Sequence, residues 1–362
     1  MINLDANIVA VSQPAMAASL KADFASMEWV ISGYTLPFAS LLMLAGGTSD
    51  LYGRKRILII GLTLFTIASF FCGTATTIAV LGIARAFQGV GAALLLSAAL
   101  ALLSHEFRGI ERARAFAFWG SIIGIAISLG PIAGGITTQC VGWRWVFYVN
   151  LPVGIAIIAL AVYALKESRD ESAKSLDIGG SGTLAGSLLL FTLALISGNK
   201  KDWSSVEIVS ELVGAALLVA AFVLVELCSK RPMLDLSFSK HPTFQGANIA
   251  GLVYAISLLT MLTYLPLFLQ SGLNFAPSIA GLAMLPMAAP LFIVPRLVAK
   301  HISHRFSGRA MLTLGLALVA AGMFCLPCWA SKASTYIGRR SPSSSSPARP
   351  PPPPASWAWV RG

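Results

Sequence analysis

Apolar residues in this chain come in long, almost unbroken blocks, and the polar positions gather in short segments between them. Runs near Ile2–Leu20, Leu36–Gly47 (extending back to Trp29), Ile57–Cys72, Ile78–Leu103, Ala113–Thr138, Val146–Leu165, Ile178–Ser197, Ile208–Leu227, Phe244–Leu269, Ile279–Val298 and Ala310–Trp329 are apolar on all sides. A soluble helix carries an apolar stripe, whereas a helix apolar all round is buried or spans a membrane. Stretches of about 17–25 such residues are long enough to cross a bilayer, so the pattern predicts eleven spans in an all-α polytopic membrane protein. One block is unusual. Gly130-Pro131-Ile132-Ala133-Gly134-Gly135 sits inside the fifth run. In a soluble helix each glycine would cost roughly 1 kcal/mol and the proline about 3. In a membrane helix neighbouring helices resupply the lost hydrogen bond, and small residues let backbones approach closely. The run therefore predicts a kinked, tightly packed helix in a moving machine more than a simple anchor.

Composition agrees. The chain is 56% hydrophobic and 11% charged, against about 25% charged in soluble domains, and its mean hydropathy is +0.77. The net charge of +11 is explained by topology. Taken as alternating sides, one set of loops holds Arg54, Lys55, Arg56, Arg108, Arg112, Arg114, Lys166, Arg169, Lys174, Lys230, Arg231, Lys240, Lys300, Arg305 and Arg309; the other holds Lys21, Arg144, Lys200 and Lys201. Basic residues concentrate on the cytoplasmic side of membrane proteins. The N-terminus and the basic loops are therefore expected in the cytoplasm, with the chain in the plasma (inner) membrane. The bilayer is the expected partner, and no nucleic acid is needed to account for the charge. The five cysteines build no framework: Cys325 and Cys328 have C-x-x-C spacing inside an apolar run, with no histidine or second pair beside them, which is weak evidence for metal or redox chemistry. His105, His241, His301 and His304 fall in inferred cytoplasmic loops. No metal or cofactor is expected, and no cleavable signal sequence is visible.

Ionisable residues inside the spans cost about 2.5–3.5 kcal/mol each at a helix centre on insertion scales. Two stand out, Asp5 and Arg85. Asp5 is able to take up and release a proton or face a cationic substrate, while Arg85 stays charged and would set the field around an acid. The competing reading is a polar pair that fixes helix packing. With only four residues before it, Asp5 is expected at the cytoplasmic mouth, hydrated. Glu226 is expected to snorkel toward the cytoplasm, and Glu207 and Glu211 to be interfacial. No nucleophile–base set, nucleotide-binding fingerprint or metal cluster occurs, so neither an enzyme nor an ATP-driven pump is expected.

Several motifs in order resemble the major facilitator superfamily, and within it the fourteen-span drug:proton antiporters of the QacA/EmrB type. Gly46-Gly-Thr48-Ser-Asp50-Leu51-Tyr-Gly53-Arg54-Lys55 resembles the family's loop between spans two and three, a conformational latch; Thr48 and Leu51 replace its usual leucine and arginine. Arg85 with Gln88, Gly89 and Gly91 is similar to the fourth-span motif, whose arginine is implicated in proton coupling. Gly130, Pro131, Gly134 and Gly135 resemble the fifth-span antiporter motif. Leu4–Pro14, Trp143–Gly154, Asp177–Gly179 and Pro232–Leu236 resemble the first span, the entrance to span six, the start of two extra central spans and the entry to the second half, and His304–Arg309 is similar to a degenerate second copy of the loop motif.

The resemblance implies an N-terminal six-helix bundle (1–165), a linker with two extra transmembrane helices (166–242), a partial C-terminal bundle of three spans (243–329) and a Ser/Pro-rich non-membrane tail (330–362). It implies a proton-coupled exporter of small amphipathic or cationic compounds, with small-molecule substrate and protons as partners. Asp5 and Arg85 would couple the proton. Gly46, Asp50, Gly53, Arg54 and Lys55 would form the conformational loop. The alternative is a non-transporting, truncated membrane fragment of such a transporter. In the family about ten more residues would precede Asp5 and three more spans would follow Trp329, so the chain is expected to be shortened at both ends. Thr335–Gly362 is expected to be read out of frame, or else to be a genuine proline-rich tail.

Overall fold

The computed structural model describes residues 1–169, 178–198, 201–229, 241–273, 275–284 and 308–339. Asp177, Pro232–Leu236, residues 285–298 of the tenth predicted span, His301, His304–Ser307 of the second loop copy and the tail beyond Arg339 lie outside the described residues. The described backbone is all helical: α1 (Ile2–Leu20), α2 (Phe24–Tyr52), α3 (Arg54–Thr74), α4 (Ile78–Glu106), α5 (Gly109–Cys140), α6 (Trp145–Tyr148), α7 (Asn150–Ala164), α8 (Ile178–Gly198), α9 (Val206–Cys228), α10 (Pro242–Leu267), a π-helical turn (Phe268–Gly272), α11 (Pro277–Ala283) and α12 (Gly308–Arg339). Two compact units divide it, Met1–Leu312 and Thr313–Gly362, the second described as the body of α12.

Among the described residues, eight helical segments are long and apolar enough to cross a membrane, with α6 and α7 forming one of them and α10 running on through the π-helical turn. Helix α1 falls outside that set. Asp5, Asn7, Ser12 and Gln13 lower its hydropathy, and all four are buried. Its polar side chains face protein, so α1 is a central helix of the first unit, held by its neighbours more than by lipid.

Close approach of backbones sets the packing. A Cβ at Gly61 would sit 2.7 Å from the Leu95 nitrogen, and one at Gly91 would sit 2.7 Å from the Phe65 nitrogen, so α3 and α4 meet backbone to backbone. Gly89 touches the Tyr34 carbonyl in the same way and brings α2 onto α4. Small residues serve this purpose in membranes, where van der Waals contact between helices replaces the hydrophobic effect. Helices α8 and α9 pair with each other, and α8 lies along α2. Glu226, expected to snorkel, is instead only 3% exposed on α9. At the head of that helix Glu207 is exposed and paired with Lys201 at 2.5 Å.

Candidate functional site

Five side chains from four helices converge inside the first unit. Arg85 and Gln88 stand three residues apart on α4 and therefore share a face. Ser69 comes from α3, Asp5 from the first turn of α1, and Asn150 from the break where α6 passes into α7. None of the five is more than 4% exposed. Arg85 Nη1 donates to Asp5 Oδ2 at 2.7 Å and to Gln88 Oε1 at 2.6 Å. Gln88 Nε2 donates to Asp5 Oδ1 at 3.1 Å and to Ser69 Oγ at 2.7 Å. Asn150 Nδ2 donates to the same two oxygens, at 2.6 and 3.4 Å. The guanidinium carbon lies 4.1 Å above the Tyr34 ring, and Arg85 Nε reaches the Val30 carbonyl at 3.4 Å. Guanidinium is the cation best suited to such a place, being planar, weakly hydrated and able to stack on a ring.

Asp5 therefore does not lie at a hydrated mouth. Its depth is fixed by its partners: Ser69 lies five residues from the end of α3, Arg85 seven from the start of α4, and Asn150 five beyond Trp145. Those helix ends are all opposite the basic loops, so the cluster sits roughly 8–10 Å down from that end by helix rise. Counting residues along α1 alone misplaces the acid.

A second cluster forms at the basic end. Gly53 is at once the last cap of α2 and the first of α3, with φ at 110°, a conformation that favours glycine. A Cβ there would meet Glu167 Oε1 at 2.6 Å. Helix α3 starts with no capping side chain of its own, and Glu167, just past α7, takes that role. Its two oxygens accept from the Lys55 and Arg56 nitrogens at 3.0 and 3.2 Å. In return Lys55 Nζ donates to the Val162 and Leu165 carbonyls, at 2.8 and 2.7 Å, at the end of α7. An acid thus faces a helix N-terminus and an amine a C-terminus, the favourable sense for both dipoles. Asp50 Oδ1 accepts from Arg54 Nε and Nη2 at 2.9 and 2.7 Å. Glu167→Ala should accelerate hydrogen exchange at the Lys55 and Arg56 amides about fivefold, matching roughly 1 kcal/mol of local stability. Unchanged exchange there would show that Glu167 does not secure the loop.

The glycine run faces two ways. A Cβ at Gly130 would meet Asn7 Cβ at 2.5 Å and one at Gly134 the Ile8 carbonyl at 2.9 Å, so these two seat α5 on α1. Gly135 meets the Pro277 carbonyl, and Gly281 meets the carbonyl of Pro131, so the same turn also seats α5 on α11. Ser12 and Thr138 hydroxyls meet at 2.7 Å, Ser278 Oγ donates to Gln139 Oε1, and Gln270 Nε2 donates to the Val11 carbonyl at 2.9 Å. Helices α1 and α5 are in this way joined to α10 and α11 at the end opposite the basic loops.

A profile described as the Major Facilitator Superfamily matches residues 1–338. The chain belongs to the Major Facilitator Superfamily. Among curated relatives it is 36% identical over 329 residues to the multidrug resistance protein Stp of Mycobacterium tuberculosis, covering 90% of this chain and 61% of that protein. It is 34% identical to the probable actinorhodin transporter of Streptomyces coelicolor (89% and 57% covered) and 33% identical to the methylenomycin A resistance protein of Bacillus subtilis (88% and 68%). The chain thus spans about three fifths of the length of the curated relatives it matches. The crystal structure of a variant of the peptide transporter POT aligns with a TM-score of 0.50 over 94% of this chain and 67% of that one at 15% identity, a likeness of fold.

As a superfamily member the chain is an integral membrane protein, and its expected site residues fall into three places. Asp5 meets Arg85 directly. Asp50, Gly53, Arg54 and Lys55 gather at the α2–α3 joint, with Gly46 one to two turns earlier in α2 and nothing within 4 Å of a Cβ built there. Gly130, Pro131, Gly134 and Gly135 line the α1 and α11 contacts. Three contributors escape a reading of the sequence by its charges, namely Ser69, Asn150 and Glu167. Asn150 carries a usable signal: an amide two residues before a proline inside an otherwise apolar run.

Proposed function

We propose that this chain is a proton-coupled antiporter of the fourteen-span drug-exporting type, moving small amphipathic or cationic compounds out of the cell. The observation that carries the reading is the buried Asp5–Arg85 pair at 2.7 Å. Ionisable groups at such depth are costly and mark ion pathways by default. In this reading Asp5 is the proton carrier. When it is protonated its attraction for Arg85 is lost, and the arginine falls back on Gln88 Oε1, the Val30 carbonyl and the Tyr34 face, groups it already touches. Each charge moved through 100 mV supplies about 2.3 kcal/mol, enough to draw a substrate tens of times against its gradient.

The basic loops would be cytoplasmic by their charge. The α5–α11 and α1–α10 contacts would then close the outer side. Gly130–Gly135 would be the surface on which outer closure forms, and the Asp50–Lys55 loop with Glu167 the latch at the other end. Helices α8 and α9 would be the two inserted spans between bundles. The relatives above are named for multidrug resistance, for actinorhodin transport and for methylenomycin A resistance, and such names fit export of small molecules.

The test is transport by the purified full chain in proteoliposomes. An imposed proton gradient should drive a cationic dye across the membrane with protons moving the opposite way, and Asp5→Asn should abolish both while leaving the protein inserted. Dye movement indifferent to the gradient would overturn proton coupling. A chain that inserts but moves no dye would favour the non-transporting alternative.

A further inference from the structure

Among the described residues, every side chain hydrogen-bonded to the Asp5 carboxylate is a donor. Oδ2 faces Arg85 Nη1, and Oδ1 faces the carboxamide nitrogens of Gln88 and Asn150. The arrangement suits a carboxylate, which only accepts, and is wrong for a carboxylic acid, which must also donate one hydrogen bond. With Asp5 itself 0% exposed, an acid proton with no acceptor would carry a desolvation penalty. One neighbour therefore has to change from donor to acceptor when a proton arrives.

Gln88 is not free to do so. Its Oε1 accepts from Arg85 Nη1 at 2.6 Å and lies 3.7 Å from the Cys72 thiol. Turning its amide over would set NH2 hydrogens against a guanidinium. Asn150 is free. Its Nδ2 spends one hydrogen on Asp5 Oδ1 and the other on Ser69 Oγ, and among the described residues no hydrogen bond is made to its Oδ1. Turned by half a rotation, the same side chain presents a carbonyl with two lone pairs to the two oxygens it formerly served. The protonated Asp5 and the Ser69 hydroxyl, which rotates freely about its bond, become the two donors. Two hydrogens facing two acceptors are exchanged for two lone pairs facing two donors.

We propose that Asn150 is a positioning residue that reads the protonation state of Asp5 by turning over its carboxamide, and so conveys that state to the α6–α7 break on which it stands. The step is balanced. A proton from water adds to Asp5, the Asp5–Arg85 ion pair is lost, and the new O–H is donated to Asn150 Oδ1. Arg85 keeps its charge throughout. The other titratable or charged groups around Asp5 are Tyr34 from α2, Cys72 from α3 and the Met1 amine at the head of α1; the α7 contribution is neutral. The proposal rests on the reading of Asp5 as a proton carrier, and its test is separable from transport.

The probe is the infrared difference spectrum of the full chain in lipid between acid and alkaline pH, using the carboxyl C=O band that Asp5→Asn removes. Asn150→Leu takes a charge-assisted hydrogen bond from the charged form and only a neutral one from the acid, so the band should appear at a pH higher by about one unit, the difference between the two bonds. It should also move to higher frequency, because the acid O–H has lost its acceptor. Asn150→Asp keeps the size and an acceptor but no donor. It should shift the midpoint the same way without the rise in frequency, and it serves if the leucine variant fails to fold. A residue that merely packs would lower thermal stability and leave midpoint and frequency alone; that result overturns the proposal, as does the absence of any Asp5 band. Proteoliposomes that move no protons, with the infrared shifts as stated, would remove the transport reading and leave Asn150's role standing.

Discussion

Arg85→Ala should destabilise the folded protein by about 3–5 kcal/mol, the cost of leaving one member of a buried ion pair alone. Asp5→Asn/Arg85→Ala should be milder than Arg85→Ala, since no unpaired charge is then left inside. The thermal midpoints of the four proteins in detergent form a double-mutant cycle, and strong non-additivity is the expected outcome. Additive losses would mean that the 2.7 Å contact carries no coupling. The Arg85→Ala deficit should also shrink as the pH falls, because an isolated buried carboxylate is relieved by protonation. Transport should vanish in both single variants and remain absent in the double variant, separating the structural from the functional use of the pair.

Gly135→Leu is expected to have the next largest effect, by a different route. A Cβ at Gly135 would meet the Pro277 carbonyl and the Ser278 Cα, which are backbone and cannot swing aside. Overpacking of about 1–3 kcal/mol would fall on the arrangement in which α5 meets α11, and on no other. The ratio of closed to open at that end should fall about 10- to 100-fold. A cysteine placed at Ser278 should then react correspondingly faster with a membrane-impermeant maleimide from that side, while export falls with it. Gly120→Leu is the control, since it lies on the same helix with nothing within 4 Å of a Cβ. Equal labelling in the two variants would remove Gly135 from the closing contact.

The elements are largely legible in the sequence because lipid imposes a simple demand: every backbone group satisfied within the helix and an apolar exterior. Leu, Ile, Val and Ala blocks mark α2 to α5 and α7 to α10 for that reason. Ranges are less legible, and α2 runs through Pro37 and on to Tyr52 as one helix, longer than its apolar run. Among site residues the type of chemistry can be read, whereas its location cannot. Distance along α1 puts Asp5 at the mouth, yet its surroundings come from α3, α4 and α7. Neighbours in sequence, Cys228 to Arg231, draw Glu226 toward solvent, although its side of α9 is packed. Glu167 gives no signal at all. An acid in a basic loop becomes a cap only once the end of α7 lies beside the start of α3, and no local pattern encodes that meeting.

Helix α1 has a consequence for how the protein is made. It is too polar to rank with the spanning helices, so lipid alone does not hold it at its final depth. What holds it is Arg85, 80 residues later, and Asn150, 145 residues later. The polar partners of α1 are thus brought by helices far along the chain, so the Asp5 cluster is complete only once α7 has joined α3 and α4 in the bundle.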